Sequence, residues 1–317
     1  MKIVVMEPLG VALEKIEALA TPLKNAGHEF IYHSTKETDK EKLLARVADA
    51  DIIMLANQPL SAEIINSCHN LKMLSVAFTG VDHIALDACR ARNIMVCNAA
   101  GYSTNAVAEL TFGLAISVIR NIVPCDERCR SAATKDGLVG FELFGKTFGV
   151  VGTGAIGCRV AKIAQAFGCR VLAYSRTPKA ELTDLGIEYV ALDELLAQSD
   201  IVSLHVPLTT ATKGLINAEA ISKMKQGAVL LNTARGGVVD SAALVKALND
   251  GKLAGAGIDV FETEPPIAEE HPLCYAKNTV LTPHVAFASK EALEERADIV
   301  FDNLWKYFAG EPQNVVE

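Results

Sequence analysis

The sequence is poor in the features that mark specialised proteins. Its eight cysteines include no Cys-x-x-Cys pair, there is one tryptophan, and aromatics make up only 6% of 317 residues. No Gly/Ser, Gln/Asn or Pro tract occurs, which with 50% hydrophobic residues excludes a disordered or low-complexity chain. Basic residues are scattered, 30 against 38 acidic for a net charge of -8, so neither nucleic acid nor an anionic membrane is an expected partner. The longest apolar stretch, 107–123, is interrupted by Glu109, Ser117 and Arg120 and falls short of the roughly 20 residues that span a bilayer. The apolar run at 1–6 stops at Glu7-Pro8, too short for a signal-peptide core. Together these absences imply a cytoplasmic protein with reduced, mostly buried thiols, as in the run Ile94-Met95-Val96-Cys97. Cys125 and Cys129 would share a helix face, but two further ligands at metal spacing are missing and no metal is expected.

What is present is length for about two domains and a regular alternation of strand and helix patterns. Strand-like segments stand at 2–6, 28–32, 51–55, 72–78 and 94–97, with amphipathic stretches between them. A long helix is expected at 105–120, then a polar, glycine-bearing stretch to Gly145 that suits a boundary or an excursion. A second series follows, with strands at 147–151, 170–174, 201–206, 228–232, 256–261 and 279–282. Such alternation predicts an α/β protein of two doubly wound domains with parallel sheets. No internal repeat is evident. In the tail, Leu293, Ala297, Val300, Leu304 and Phe308 recur at helical spacing, forming an apolar face that must dock somewhere.

The strand at 147–151 runs into Gly152-Thr153-Gly154-Ala155-Ile156-Gly157, and a helix is expected at 158–167. Strand, G-x-G-x-x-G and helix in this order form a dinucleotide fingerprint. The first glycine permits the tight turn, the second lets backbone N–H groups approach a pyrophosphate, and the third lets helix pack on strand. The helix N-terminus adds partial positive charge. Residues 140–147 also fit a nucleotide-triphosphate pattern through Gly140, Gly145, Lys146 and Thr147, but Lys146-Thr147 opens a strand where a P-loop must open a helix. The stretch Gly101-Tyr102-Ser103-Thr104-Asn105 lacks the second glycine of a hydrolase nucleophile elbow.

Three later strands each end in an ionisable residue: Arg235 after 228–232, Glu264 after 256–261 and His284 after 279–282. In an open parallel sheet the C-terminal strand ends line the ligand crevice, so these three can converge beside a cofactor on the glycine loop. Arg offers a planar fork for a carboxylate, His exchanges a proton near neutral pH, and Glu orients that imidazole and raises its pKa. The set suits hydride transfer to the carbonyl of a 2-keto acid. Any one such Arg or Glu, taken alone, is more often a solvated loop charge. His83, after the turn Thr79-Gly80-Val81-Asp82, is the rival acid; His28, His33, His69 and His271 read as surface or loop residues.

Over nearly its whole length the chain resembles the D-isomer-specific 2-hydroxyacid dehydrogenases. The resemblance rests on Gly145-Lys146-Thr147-Phe148-Gly149, the glycine loop, Asn232-Thr233-Ala234-Arg235-Gly236-Gly237, Gly257-Ile258-Asp259-Val260-Phe261, Glu264-Pro265 and Thr282-Pro283-His284. It implies a Rossmann dinucleotide-binding domain at 102–288, inserted in a flavodoxin-like substrate domain of 1–101 plus 289–317, which would give the apolar tail helix its docking site. It implies that Arg235 holds the substrate carboxylate and carbonyl, His284 donates the proton, and Glu264 keeps His284 protonated. Backbone N–H groups of Thr79 and Gly80 would grip the carboxylate. Gly152, Gly154 and Gly157 would form the cofactor loop, Ala155 and Ile156 would cover the pyrophosphate, Val206, Pro207 and Thr212 would lie along the dinucleotide, and Thr233 and Asp259 would reach the nicotinamide side. Family members are usually homodimers through the segment around the long helix, here 102–145, and their substrate closes between domains, excluding water.

Two departures bear on specificity. Where most NAD-linked relatives carry an acid after the second strand, this chain reads Tyr174-Ser175-Arg176-Thr177, so Ser175, Arg176 and Thr177 point to NADP in preference to NAD. After His284 it reads Val285-Ala286-Phe287, similar to hydroxypyruvate reductases with an aromatic there, which favours hydroxypyruvate or glyoxylate as substrate. The alternatives are a dinucleotide-sensing corepressor or scaffold on the same fold, since fold does not imply function, or a phosphoglycerate-type dehydrogenase.

Overall fold

The computed structural model describes residues 1–263 and 266–316, which divide into two compact units. The first, Met1–Ser103 with Ala288–Glu317, carries β1 (Lys2–Val5), β2 (Glu29–Tyr32), β3 (Ile52–Leu55), β4 (Met73–Val76) and β5 (Met95–Cys97). They pair in parallel in the order β2-β1-β3-β4-β5. Strands β3 and β4 are buried throughout, because helices cover both faces of a parallel sheet and leave no polar side to alternate with. Ser75 is the polar exception, and its Oγ donates to Val300 O at 2.9 Å on the helix Lys290–Phe308.

That tail helix docks in this unit as its apolar spacing requires, burying Ala297, Val300, Phe301 and Leu304. Arg296 is buried with them. Its Nη2 donates to Leu9 O at 2.5 Å, and its guanidinium lies over the rings of Phe78 at 5.2 Å and Tyr102 at 5.7 Å. Beside the point where strand order reverses, between β1 and β3, the buried Glu7 carboxylate accepts from Ala56 N at 2.9 Å and Gln58 N at 2.7 Å. Burial pushes the Glu7 carboxyl above its ordinary range despite those two bonds. A switch point is the usual ligand crevice of such a sheet; here the chain's own side chain takes the loop amides.

The second unit, Thr104–Phe287, carries β6 (Thr147–Val151), β7 (Arg170–Tyr174), β8 (Glu188–Tyr189), β9 (Ile201–Leu204), β10 (Ala228–Asn232), β11 (Leu253–Ile258) and β12 (Thr279–Leu281). These form one parallel sheet in the order β12-β11-β10-β9-β6-β7-β8. The two doubly wound parallel sheets match the fold expected from the alternation of patterns.

Some boundaries differ from the sequence reading, for tertiary reasons. Strand β11 begins and ends three residues before the expected 256–261, because Gly255 and Gly257 let the helix Thr104–Ile119 lie flush on it. A Cβ on Gly257 would stand 2.8 Å from Leu114 Cβ, and one on Gly255 2.5 Å from Val118 Cγ1. The stretch read as a polar excursion contains a helix, Ile122–Arg130, with no buried residue to give it a core-facing pattern. Among the described residues no single helix is long and apolar enough to cross a membrane; Thr104–Ile119 and Ile122–Arg130 reach that length only as a pair bent by 60°, and the first is a core helix burying Ala108, Phe112 and Leu114.

Candidate active site

The glycine loop joins β6 to the helix Ala155–Ala166, which starts three residues before the expected 158. The earlier start matters because it makes Ala155, Ile156 and Gly157 the first turn, whose N–H groups have no acceptor within the helix. No side chain caps this end, and the first helical bond from the turn runs from Cys158 N to Gly154 O at 2.9 Å. Gly152 has φ 97°, and a Cβ there would stand 2.5 Å from His205 O. A Cβ on Gly157 would stand 1.9 Å from Gly152 O, so no other residue fits this close packing of helix on strand. Around Gly154 nothing lies within 4 Å of an added Cβ, so the middle of the loop leaves its backbone open to a close approach. The residues present fit the pyrophosphate of a dinucleotide.

Along the same sheet edge, the loops after β10, β11 and β12 interlock. The buried Asn232 folds the first of them: its Nδ2 donates to Arg235 O at 3.0 Å and its Oδ1 accepts from Ala234 N at 3.1 Å, which fixes the half-buried Arg235. Arg235 Nη1 donates to Ala234 O at 2.8 Å. Behind it, a Cβ on Gly236 would lie 1.9 Å from Phe261 C, so this loop presses directly on the backbone leading toward Glu264. Glu264 itself lies outside the described residues. Thr233 is buried, with Oγ1 3.1 Å from Thr111 Oγ1. Since Thr111 already donates to Val107 O at 2.8 Å, Thr233 is the donor between them.

Asp259 ties the third loop to the second. Fully buried, its carboxylate accepts from Thr282 Oγ1 at 2.5 Å, Val285 N at 2.9 Å and Ala286 N at 3.0 Å. Its backbone O also accepts from His284 N at 2.8 Å. Burial raises the Asp259 carboxyl, against the opposing pull of these bonds and of His284. His284, half-buried, has φ 56°, and its ring meets Phe287 edge-on at 5.6 Å.

The remaining candidates are less concentrated. Ser175 is half-buried at the end of β7, and Arg176 and Thr177 are exposed beside it. Val206 and Pro207 follow β9, and Thr212 closes the next turn by donating to Pro207 O at 2.5 Å and accepting from Thr209 N at 2.8 Å. Thr79 and Gly80 belong to the first unit, after β4, where Thr79 O accepts from Asn98 Nδ2 at 2.8 Å. His83 is also in the first unit, edge-on to Phe78. His271 lies in a loop, as read, but only 13% of its side chain is exposed, and its Nε2 lies 3.2 Å from Glu262 Oε2. Burial acts to raise Glu262, but hydrogen bonds from Ser241, its own backbone and His271 outweigh it and hold the carboxyl below its usual range. Two residues shape the site without having been singled out from sequence: Thr111, and Tyr189, which bonds to Thr153 Oγ1 at 3.0 Å. Neither lies in a motif, because each acts across more than thirty residues of chain.

The model of the D-isomer specific 2-hydroxyacid dehydrogenase NAD binding domain matches residues 112–286, which takes in the glycine loop, Arg235, Asp259 and His284. The chain belongs to this family. It is 40% identical over 302 residues to the glycerate dehydrogenase of Methylorubrum extorquens, covering 92% of this chain and 93% of that protein. It is 40% identical over 285 residues to the glyoxylate reductase of Korarchaeum cryptofilum, covering 87% and 86% respectively. Its fold superposes on an acyclic imino acid reductase solved with NADPH and D-Arg at a TM-score of 0.90, 31% identity and full coverage of both chains. As a family member the protein is an oxidoreductase of the CH–OH group of 2-hydroxy acids, and it uses a nicotinamide dinucleotide.

Proposed function

We propose that the enzyme reduces hydroxypyruvate or glyoxylate to the corresponding 2-hydroxy acid, with NADPH favoured over NADH. The observation that carries this reading is the interlocking of the loops after β10, β11 and β12, which sets Arg235 and His284 at the sheet edge that also bears the glycine loop. The unit Thr104–Phe287 is then the dinucleotide-binding domain, and the other unit is the substrate domain.

When bound, the cofactor supplies the hydride to the keto carbon. The chain's residues hold the reactants and the proton. Amides at Gly154, Ala155, Ile156 and Gly157 receive the pyrophosphate, Gly152 makes the turn, Val206, Pro207 and Thr212 line the dinucleotide, and Thr233 and Asp259 lie toward its nicotinamide end. Arg235 pairs its fork with the substrate carboxylate and reaches the carbonyl, and in the substrate unit the N–H groups of Thr79 and Gly80 serve as carboxylate donors. His284 gives its proton to the carbonyl oxygen, and Glu264 keeps the imidazole charged until it does so. The aromatic Phe287 stands edge-on to His284, and the 40% identical relatives named for glycerate and glyoxylate support the choice of substrate. Ser175 carries no charge to repel a 2′-phosphate, and the exposed Arg176 can pair with one. Eight free cysteines, five of them buried, suit a reducing compartment, and we place the enzyme in the cytoplasm. Ile122 and Val123 on the helix Ile122–Arg130, and Val139 and Phe144 in the stretch after it, are exposed and support a homodimer through 102–145.

A spectrophotometric panel of glyoxylate, hydroxypyruvate, pyruvate, phenylpyruvate and 2-ketoisocaproate, each with NADH and NADPH, tests the reading. The highest kcat/KM is expected with the first two and NADPH; a best rate with phenylpyruvate or 2-ketoisocaproate overturns the substrate assignment. His284→Ala should lower kcat by about 10²–10⁴ with little change in NADPH affinity. Arg176→Ala should reduce the NADPH to NADH ratio of kcat/KM, and an unaltered ratio removes Arg176 from cofactor selection.

A further inference from the structure

The geometry points to Tyr189 as a positioning residue that sets cofactor selectivity by tying the glycine loop to the segment that meets the adenosine ribose. Tyr189 ends the edge strand β8, with its ring packed on the core of the second unit and its hydroxyl turned toward the glycine loop. That hydroxyl donates to Thr153 Oγ1 at 3.0 Å and accepts from Lys179 N at 3.0 Å. Thr153 is 2% exposed and stands between the first two glycines of the loop. A second tie runs from Gly152 N to Tyr174 O at 2.7 Å. The segment Ser175-Arg176-Thr177-Pro178-Lys179 is therefore moored to the glycine loop at both ends, through Tyr174 O before it and through Tyr189 on Lys179 N after it. Arg176, second in this segment, is exposed and carries its guanidinium on a stem of three methylenes, so the backbone path beneath it decides where that guanidinium can stand.

A phosphate needs that path held. Pairing an Arg fork with a phosphate demands a narrow range of positions, and a segment moored at one end only must lose backbone entropy when the nucleotide binds. A phenol hydroxyl serves two partners at once, donating its single proton and accepting on oxygen, so it can join Thr153 to Lys179 N, beyond the reach of the Gly152–Tyr174 backbone bond. Phenylalanine would fill the same space and break both bonds.

The inference rests on the reading that the ribose end of the dinucleotide meets residues 175–177. The test is Tyr189→Phe, with dissociation constants for NADPH and NADH from nucleotide fluorescence, kcat at saturating cofactor, and melting temperature. Loss of these neutral bonds should raise the NADPH constant about five- to tenfold and the NADH constant less, leaving kcat and the keto-acid KM unchanged. Thr153→Val should reproduce part of the effect, the double variant should be no worse than Tyr189→Phe alone, and Thr153→Ser should restore binding. A lowered melting temperature with both constants unchanged, or both raised by one factor, overturns the proposal and leaves Tyr189 an ordinary edge-strand contact. If the unmodified enzyme prefers NADH and Tyr189→Phe selectively weakens NADH, the assignment of Arg176 falls and the positioning role of Tyr189 stands.

Discussion

At His284 the backbone sits at φ 56°, in the left-handed region, which costs a non-glycine residue about 1–2 kcal/mol. The surroundings over-determine it. His284 N donates to both Asp259 O and Thr282 O, while the Asp259 carboxylate takes Thr282 Oγ1 and the two amides that follow His284. One buried side chain thus holds the turn that aims the imidazole. Asp259→Asn keeps the shape but replaces one acceptor oxygen with an amide donor, which must then face an N–H or O–H donor. We expect the His284 turn to loosen and kcat to fall about 10- to 100-fold, because displacements near 1 Å are enough to cost that much in proton transfer. Steady-state kcat with hydroxypyruvate measures it, and a kcat within twofold of the parent would mean that the turn holds without the carboxylate.

Among the elements, the helix Ile122–Arg130 behaves unlike the others. Its hydrophobic residues Ile122 and Val123 face outward, and Val139 in the following loop is 86% exposed. A lone exposed apolar side chain needs no explanation; these three together are the surface on which the proposed homodimer rests. Val139→Asp combined with Ile122→Asp would place two charges in that surface. Sedimentation velocity should then shift from twice the chain mass to the chain mass, with an unchanged far-UV spectrum. A parent that already sediments as a monomer would overturn the homodimer.

For the whole molecule, pH enters through a histidine outside the chemistry. His205 follows β9 under the glycine loop, its carbonyl crowding Gly152 and its Nε2 2.8 Å from Ser203 Oγ. The residue keeps some exposed surface, but its ring is enclosed, and burial lowers its pKa to about 3 from 6.5. The imidazole is neutral in the fold, whereas the unfolded chain takes up a proton below 6.5. Its stabilising contribution is complete above pH 6.5, declines as pH falls through the window from 6.5 to about 3, and is lost below. The steepest slope one such group adds is about 1.4 kcal/mol per pH unit. His205→Gln should therefore flatten the fall of melting temperature between pH 6.5 and 5, and parallel curves for variant and parent would show that His205 does not carry it.

By itself the sequence determined what depends on neighbours along the chain: alternating apolar runs for β1 to β7 and for β9, β10 and β12, the long core helix, the helical face of the tail, and the order of strand, glycines and helix that marks a dinucleotide loop. It also placed Arg235 and His284 at strand ends, since an ionisable residue just after a buried run is a local fact. Tertiary structure alone decided the rest. The order β12-β11-β10 brings the three loops side by side, and that order comes from pairing strands more than twenty residues apart, which leaves no periodic trace. Strand β11 shifted because Gly255 and Gly257 answer to Leu114 and Val118, not to their own propensity. The two-residue β8 was too short to carry a pattern, yet it supplies Tyr189. Asn232, Thr111, Asp259 and Tyr189 take their roles from hydrogen-bond partners, and a partner is a matter of distance in space, which composition and spacing do not encode.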